Sequence, residues 1–142
     1  MPIRTAQARW LGDFTGGSGT VRTGKGGYEG NYSASSRFEE GEGTNPEELV
    51  GAAHAGCFSM FLAKLLADAG TPATSIETTA KVHLDRTEAG PTVTRIELDT
   101  VGQVPGVDES EFLRLADNAK ANCPISRLLA PGVDIALTAR LG

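Results

Sequence analysis

Hydrophobic and polar positions alternate in short stretches at both ends of the chain and give way to one long apolar stretch in the middle. Ile3 to Gly12 alternates weakly around Trp10, and Thr20–Thr23 and Tyr28–Ser36 follow after glycine-rich turns at 16–19 and 24–27. Short alternating runs punctuated by glycine predict an antiparallel meander of three strands. Gly41-Glu42-Gly43 breaks the pattern, and Asn45-Pro46-Glu47-Glu48 opens a helix. Asn45 suits the N-cap, Pro46 the first helical position, and Glu48 the far side of a capping box. The helix is predicted to run to about Ala69, where Gly70 and Pro72 end it. Between Ala52 and Leu66 it is apolar nearly all round, which predicts burial on every side.

Beyond that helix the two-residue period returns. Ile76, Thr78, Ala80, Val82 and Leu84 share one face of a strand over 76–86, and Val93 to Val101 pairs with it as a hairpin after the Glu88–Pro91 turn. Asp108-Glu109-Ser110-Glu111 has the form of a second capping box, opening a helix through Phe112, Leu115, Ala116 and Ala119. Cys123-Pro124 interrupts it, Ile125–Leu129 adds a short helical turn, and Val133–Leu141 closes the chain as a strand. The order βββ-α-ββ-α-β predicts an α+β fold, residues 1–142 as a single domain, with mainly antiparallel sheets around a long buried central helix.

A length of 142 residues suffices for a core without staples, and two cysteines are too few for a disulfide scaffold. No run of about 18 residues looks free of polar interruption, which predicts no membrane span. The opening residues Met1–Gln7 lack an apolar signal core, so a cytoplasmic location with reduced thiols is expected. The net charge of −5 and the absence of a basic stripe argue against nucleic acid as a partner.

The two cysteines carry the candidate chemistry. Cys57 lies mid-helix, beside His54 at i−3 and Phe61 at i+4. Burial raises a thiol's pKa, and the helix dipole gives little help away from the ends, so a reactive Cys57 needs a cation beside it. Cys123 precedes a proline that starts a helix, which sets its sulfur near unpaired N–H groups and favours thiolate. The residues alone leave three readings: a reactive pair, a structural bridge worth about 4 kcal/mol in the chain-entropy model, or two unrelated core residues. His54 is a candidate base for Cys57, set against an ordinary histidine bonded to backbone or water. Gly56, unfavourable in a helix, suggests a close backbone approach.

The run Gly43–Met60, containing Asn45-Pro46-Glu47-Glu48-Leu49-Val50-Gly51-Ala52-Ala53-His54-Ala55-Gly56-Cys57, resembles the signature of the OsmC/Ohr family, in its OsmC branch. Trp10–Asp13, Ser36–Glu39, Pro72–Ile76, Val104–Asp108 and Asn122–Ser126 resemble the same family in the same order, so the likeness spans nearly the whole chain. It implies an organic hydroperoxide reductase, an intertwined homodimer with its sites at the subunit interface, and a part in oxidative and osmotic stress responses. By motif position it assigns Cys57 as peroxidatic thiol, Cys123 as resolving thiol, Arg37 as the arginine that holds the thiolate, and Glu48 as the carboxylate that holds Arg37. It implies no metal or other cofactor, and recycling by a small dithiol such as a lipoyl group. The apolar side chains Phe61 and Phe38 suit an alkyl hydroperoxide.

Glu48 fits this scheme awkwardly. Nine positions before Cys57 lie about 900° of rotation away on a straight helix, the opposite side. A distortion near Gly51, or a Glu48 from the partner subunit, is then required. Three rival functions stand beside the peroxidase: a metal site built on Cys57, Cys123, His54 and His83, with no compact ligand spacing; a cysteine hydrolase, with no evident oxyanion donors; and a noncatalytic module for a hydrophobic ligand.

Overall fold

The structure, a computed structural model, describes all residues from Met1 to Gly142 and divides into two compact units, Met1–Leu49 and Val50–Gly142. In the first, β1 (Ala6–Leu11), β2 (Ser18–Thr23) and β3 (Glu29–Tyr32) form an antiparallel sheet in the order β1-β2-β3. Gly19 faces Trp10 on one side and Tyr32 on the other, and the two rings meet across it with centroids 5.3 Å apart. A Cβ at position 19 would fall 2.8 Å from the Trp10 ring, so the aromatic pair depends on glycine there.

A short helix, α1 (Ala34–Phe38), follows β3. The polar-apolar pattern predicts strand as far as Ser36, but the strand stops at Tyr32. Ser33 and Ser36 form a reciprocal capping box that turns the chain into a helix. Ser36 Oγ also donates to the Thr44 carbonyl at 2.7 Å, and Asn45 Nδ2 donates to the Ser36 carbonyl at 3.0 Å. These bonds tie α1 to the start of the long helix α2 (Pro46–Asp68).

In the second unit, β4 (Ser75–Thr87) and β5 (Gly90–Gln103) form the expected hairpin, with a bulge between His83 and Leu84. β6 (Asp134–Leu141) lies parallel to β5, giving the order β4-β5-β6. A parallel neighbour needs a crossover connection, here supplied by α3 (Glu109–Asn122) and α4 (Pro124–Leu129). The core gathers Phe58, Leu62 and Leu66 of α2, Ile96 and Leu98 of β5, Phe112, Leu115, Ala116 and Ala119 of α3, and Cys123. Full burial of each large apolar side chain stabilises by about 1.5–3 kcal/mol.

The α+β class, the mainly antiparallel pairing and the long helix agree with the sequence reading. Three local expectations are corrected. Helix α2 buries one stripe rather than its whole circumference: Gly51, His54, Phe58, Leu62 and Leu66 are buried, whereas Ala52, Ala53, Gly56 and Met60 are exposed. The predicted capping box at α3 is absent, because Asp108 stands at the N-cap without a side-chain bond. By length and composition α2 is also apolar enough to cross a membrane, since the stretch between Glu48 and Lys64 is mostly apolar and holds no Asp, Glu, Lys or Arg; its stripe of Phe58, Leu62 and Leu66 enters the core of the second unit.

Candidate active site

Cys123 occupies the break between α3 and α4 in extended conformation, φ −61° and ψ 140°. The following proline forces this, because its ring disfavours helical geometry in the residue before it. The same proline fills the first helical position of α4, so Cys123 becomes the N-cap. Its sulfur accepts the Ser126 N–H at 3.3 Å, the role a capping oxygen usually fills. Cys123 is fully buried, and both cysteines are free thiols.

The next two participants, His54 and Cys57, stand three residues apart on α2, a little under one turn. His54 is fully buried and places Nε2 2.7 Å from Ser126 Oγ. The same hydroxyl lies 3.1 Å from Cys123 Sγ. His54 Nδ1 has no hydrogen-bond partner, so Ser126 is the imidazole's sole hydrogen-bonded contact. The sequence reading offered His54 as a base for Cys57, or as a residue bonded to backbone or water; the structure directs it to Ser126 instead. Burial holds its pKa below the usual histidine value.

Cys57 is half-buried, and its thiol interacts with the Cys123 side chain and the backbone of Ile125. Burial pushes its pKa up, the Ile125 N–H pulls it back, and the neighbouring Cys123 thiol raises it again. Two cysteines far apart in sequence thus share one small site, framed by a buried histidine and serine. Sequence reasoning did not single out Ser126. The available signal was its place three residues after a cysteine N-cap, where its N–H must find an acceptor.

In the first unit Arg37 pairs with Glu47, not with Glu48 as expected. Arg37 Nη2 lies 2.7 Å from Glu47 Oε1, and Nε reaches both carboxylate oxygens at 3.2 Å. Helix rotation explains the correction. Glu47 falls on the buried stripe of α2, seven residues before His54, while Glu48 is turned about 100° outward and is exposed. Glu48 serves the helix start: its N–H donates to Asn45 Oδ1 at 2.8 Å, and its carboxylate accepts from Thr44 Oγ1 at 3.1 Å. The Asn45 half of the capping box therefore forms, and Thr44 replaces the Asn45 N–H as the partner of the Glu48 side chain. No distortion of α2 is needed to reach a carboxylate for Arg37.

Arg37 also borders an aromatic cleft of about 320 Å³ lined by Trp10, Phe14, Tyr32 and Phe38. Its guanidinium carbon sits 5.3 Å from the Phe38 ring centroid, and Phe38 packs against Phe14 with centroids 6.2 Å apart. Phe61 is partly buried against the core of the second unit. No three His, Cys, Asp or Glu side chains gather in a group able to hold a metal ion.

Comparison with known proteins matches the chain to one family. The family model described as OsmC-like protein matches residues 39–138. The chain is 49% identical to peroxiredoxin OsmC of Escherichia coli over 127 residues, covering 89% of each protein. It is 31% identical to the organic hydroperoxide resistance protein of Xanthomonas axonopodis pv. citri over 99 residues, 69% of this chain and 68% of the relative. Among solved structures, an organic hydroperoxide resistance protein OsmC from Legionella pneumophila superposes with a TM-score of 0.78 at 25% identity, over 99% of both chains. An OsmC-like protein of unknown function from Vibrio cholerae shares the fold, with a TM-score of 0.79 at 17% identity over 98% of this chain and 99% of that one. The family match spans both the helix that carries Cys57 and the Cys123-Pro124 break, and with it this chain belongs to the OsmC-like protein family.

Proposed function

We propose that the protein is a cysteine-based peroxidase that reduces organic hydroperoxides to alcohols. The observation that carries the reading is the neighbouring pair of free thiols, Cys57 and Cys123, one half-buried and one fully buried. The Cys57 thiolate attacks the terminal oxygen of the hydroperoxide, the O–O bond breaks, and the alkoxide takes a proton and leaves as alcohol. Cys57 is left as sulfenic acid. The Cys123 thiol then condenses with it, forming a Cys57–Cys123 disulfide and releasing water. A dithiol, of the lipoyl type implied by the family resemblance, restores both thiols by exchange.

Arg37 is the cation assigned to the Cys57 thiolate, and Glu47 replaces Glu48 as the carboxylate that orients it. The apolar side chain of Phe61, one turn beyond Cys57 on α2, suits an organic peroxide over hydrogen peroxide; equal rates on the two would remove that preference. The working form is a homodimer, and the location cytoplasmic. The relatives' names, peroxiredoxin and organic hydroperoxide resistance protein, support the same chemistry.

The test is direct. Reduced protein receives one equivalent of an alkyl hydroperoxide, and its thiols are mapped by mass spectrometry. An intrachain Cys57–Cys123 link that a dithiol reverses is expected, with sulfenic or higher oxides at Cys57 when Cys123 is replaced by serine. Peroxide consumption that survives Cys57→Ser would end the proposal, and unsubstituted protein that consumes no peroxide would leave the noncatalytic ligand-binding role.

A further inference from the structure

We propose that Ser126 and His54 form a proton path serving Cys123, taking the thiol proton as the disulfide with Cys57 forms. The inference rests on the peroxidase reading and assigns residues to its second step. Ser126 is the catalytic residue, since its hydroxyl touches the reacting sulfur; His54 acts through it.

The geometry supplies a continuous line of three buried groups: Cys123 Sγ, Ser126 Oγ at 3.1 Å, and His54 Nε2 2.7 Å further on. A serine hydroxyl has one proton and two lone pairs. With the thiol protonated, S–H donates to Oγ and O–H donates to Nε2. Moving each proton one step along the line reverses both bonds. Nε2–H then donates to Oγ, O–H donates to sulfur, and the Ser126 N–H already points at that sulfur at 3.3 Å. The thiolate thus receives two donors from one residue, and no heavy atom moves.

The remaining features fit a transient acceptor rather than a stored charge. His54 Nδ1 has no partner, so an imidazolium there lacks a counterion or acceptor. Burial favours the neutral ring. Burial alone shifts His54: Lys64 of α2 pairs with Asp68, Lys120 of α3 lies in that helix's last turn, and Arg127 of α4 is exposed. The only other titratable group at the cluster is Cys57. A purely structural histidine at a fully buried position normally satisfies both ring nitrogens.

The step balances without another reactant. The Cys123 proton passes to Ser126 Oγ, whose own proton passes to His54 Nε2. The Cys123 sulfur attacks the Cys57 sulfenic sulfur, the S–S bond forms, and the S–O bond breaks. The departing hydroxide becomes water, completed by the proton His54 gives up on returning to its neutral form. Net, one thiol and one sulfenic acid give one disulfide and one water.

Two measurements test the path. In Cys57→Ala protein, Cys123 thiolate is titrated by its ultraviolet absorbance, with Ser126→Ala, Ser126→Thr and His54→Gln added in turn. Glutamine can accept the Ser126 hydrogen bond but cannot take up its proton. The midpoint is expected to rise by roughly one pH unit, a tenfold loss of thiolate at fixed pH, in Ser126→Ala, which removes the hydroxyl donor, and to stay in place in Ser126→Thr and in His54→Gln, where the loss of a transient acceptor shows in the rate. In protein with both cysteines, quenched-flow mass spectrometry separates sulfenic acid formation from disulfide formation. Ser126→Ala and His54→Gln should slow the second step about tenfold and leave the first within twofold. An unchanged midpoint in Ser126→Ala, or unchanged disulfide rates in His54→Gln and Ser126→Ala, overturns the path. Failure of unsubstituted protein to form sulfenic acid overturns the peroxidase reading instead, and the titration still judges the path.

Discussion

Arg37 closes on Glu47 through both its Nε and an Nη, so the guanidinium is fixed in plane by a carboxylate on the first turn of α2. Glu48, one residue on, bonds Thr44 and belongs to the helix start. The two glutamates therefore separate in function. Glu47→Ala should release the guanidinium and lower the rate of peroxide consumption by about 10²-fold, the cost of a misplaced catalytic group. Glu48→Ala should leave that rate within twofold and lower stability by a few tenths of a kcal/mol to about 1 kcal/mol, as loss of a helix-start contact does. Single-turnover kinetics and urea unfolding on the two variants check both halves. A larger rate loss in Glu48→Ala would return the catalytic role to that residue.

Burial and the neighbouring thiol both drive Cys57 toward its protonated form, and the Ile125 N–H opposes them only in part. A nucleophile at neutral pH then requires a fixed cation, and Arg37 is the one proposed. Its removal has a definite sign. Arg37→Met should move the pH midpoint for Cys57 alkylation upward, so that at pH 7 alkylation and peroxide consumption fall together while both recover as pH rises. Iodoacetamide rates measured across pH in Cys123→Ser protein check this. An unchanged midpoint would remove Arg37 from the thiolate.

The strands and long helices were legible because their periods are long and unbroken. Ile76 to Leu84 alternates over a whole strand, and Asn45-Pro46 marks a helix start that the structure places within one residue. What the sequence hid depends on contacts. Ser33 and Ser36 turn a strand-like stretch into α1 by bonding each other, and a single serine pair is a weak signal. The partner of Arg37 turned on one step of helix phase, since Glu47 and Glu48 are adjacent and both acidic. The His54–Ser126 bond joins positions 72 residues apart, and no local pattern encodes it.

Two glycines on α2 separate a packing role from a free one. At Gly56 a Cβ would meet nothing within 4 Å, contrary to the close approach its place in the helix suggested. At Gly51 a Cβ would lie 3.2 Å from Val82 Cγ2 and 3.6 Å from Ala80 Cβ, so the helix rests closely on β4 there. Gly56→Ala should therefore stabilise by up to about 1 kcal/mol, the helix-propensity difference. Gly51→Ala should gain less or lose, as crowding offsets the same term. Urea unfolding of both variants decides it. A loss in Gly56→Ala that grows as the protein associates would put a second copy's backbone against that face.

His54 links the site to stability through pH. Its folded pKa is depressed by burial below the ordinary value of 6.5, so near and below that value the unfolded chain binds more protons than the folded one. Stability rises with pH wherever the unfolded state binds the extra proton. The contribution is thus fully present above pH 6.5 and is lost progressively as pH falls from there through the folded value. Protein unfolded in urea at pH 7.5 and again near pH 5 should lose stability across that interval. His54→Gln, which keeps a polar group for Ser126 but cannot be protonated, should show a smaller loss. The half-buried pair of His83 and Glu97, 2.6 Å apart, supplies the control, because His83→Gln removes the chain's other histidine without touching the buried one. If His54→Gln and unsubstituted protein follow the same pH profile, the buried imidazole is not the group whose protonation opposes folding, and the acid sensitivity belongs to the carboxylates.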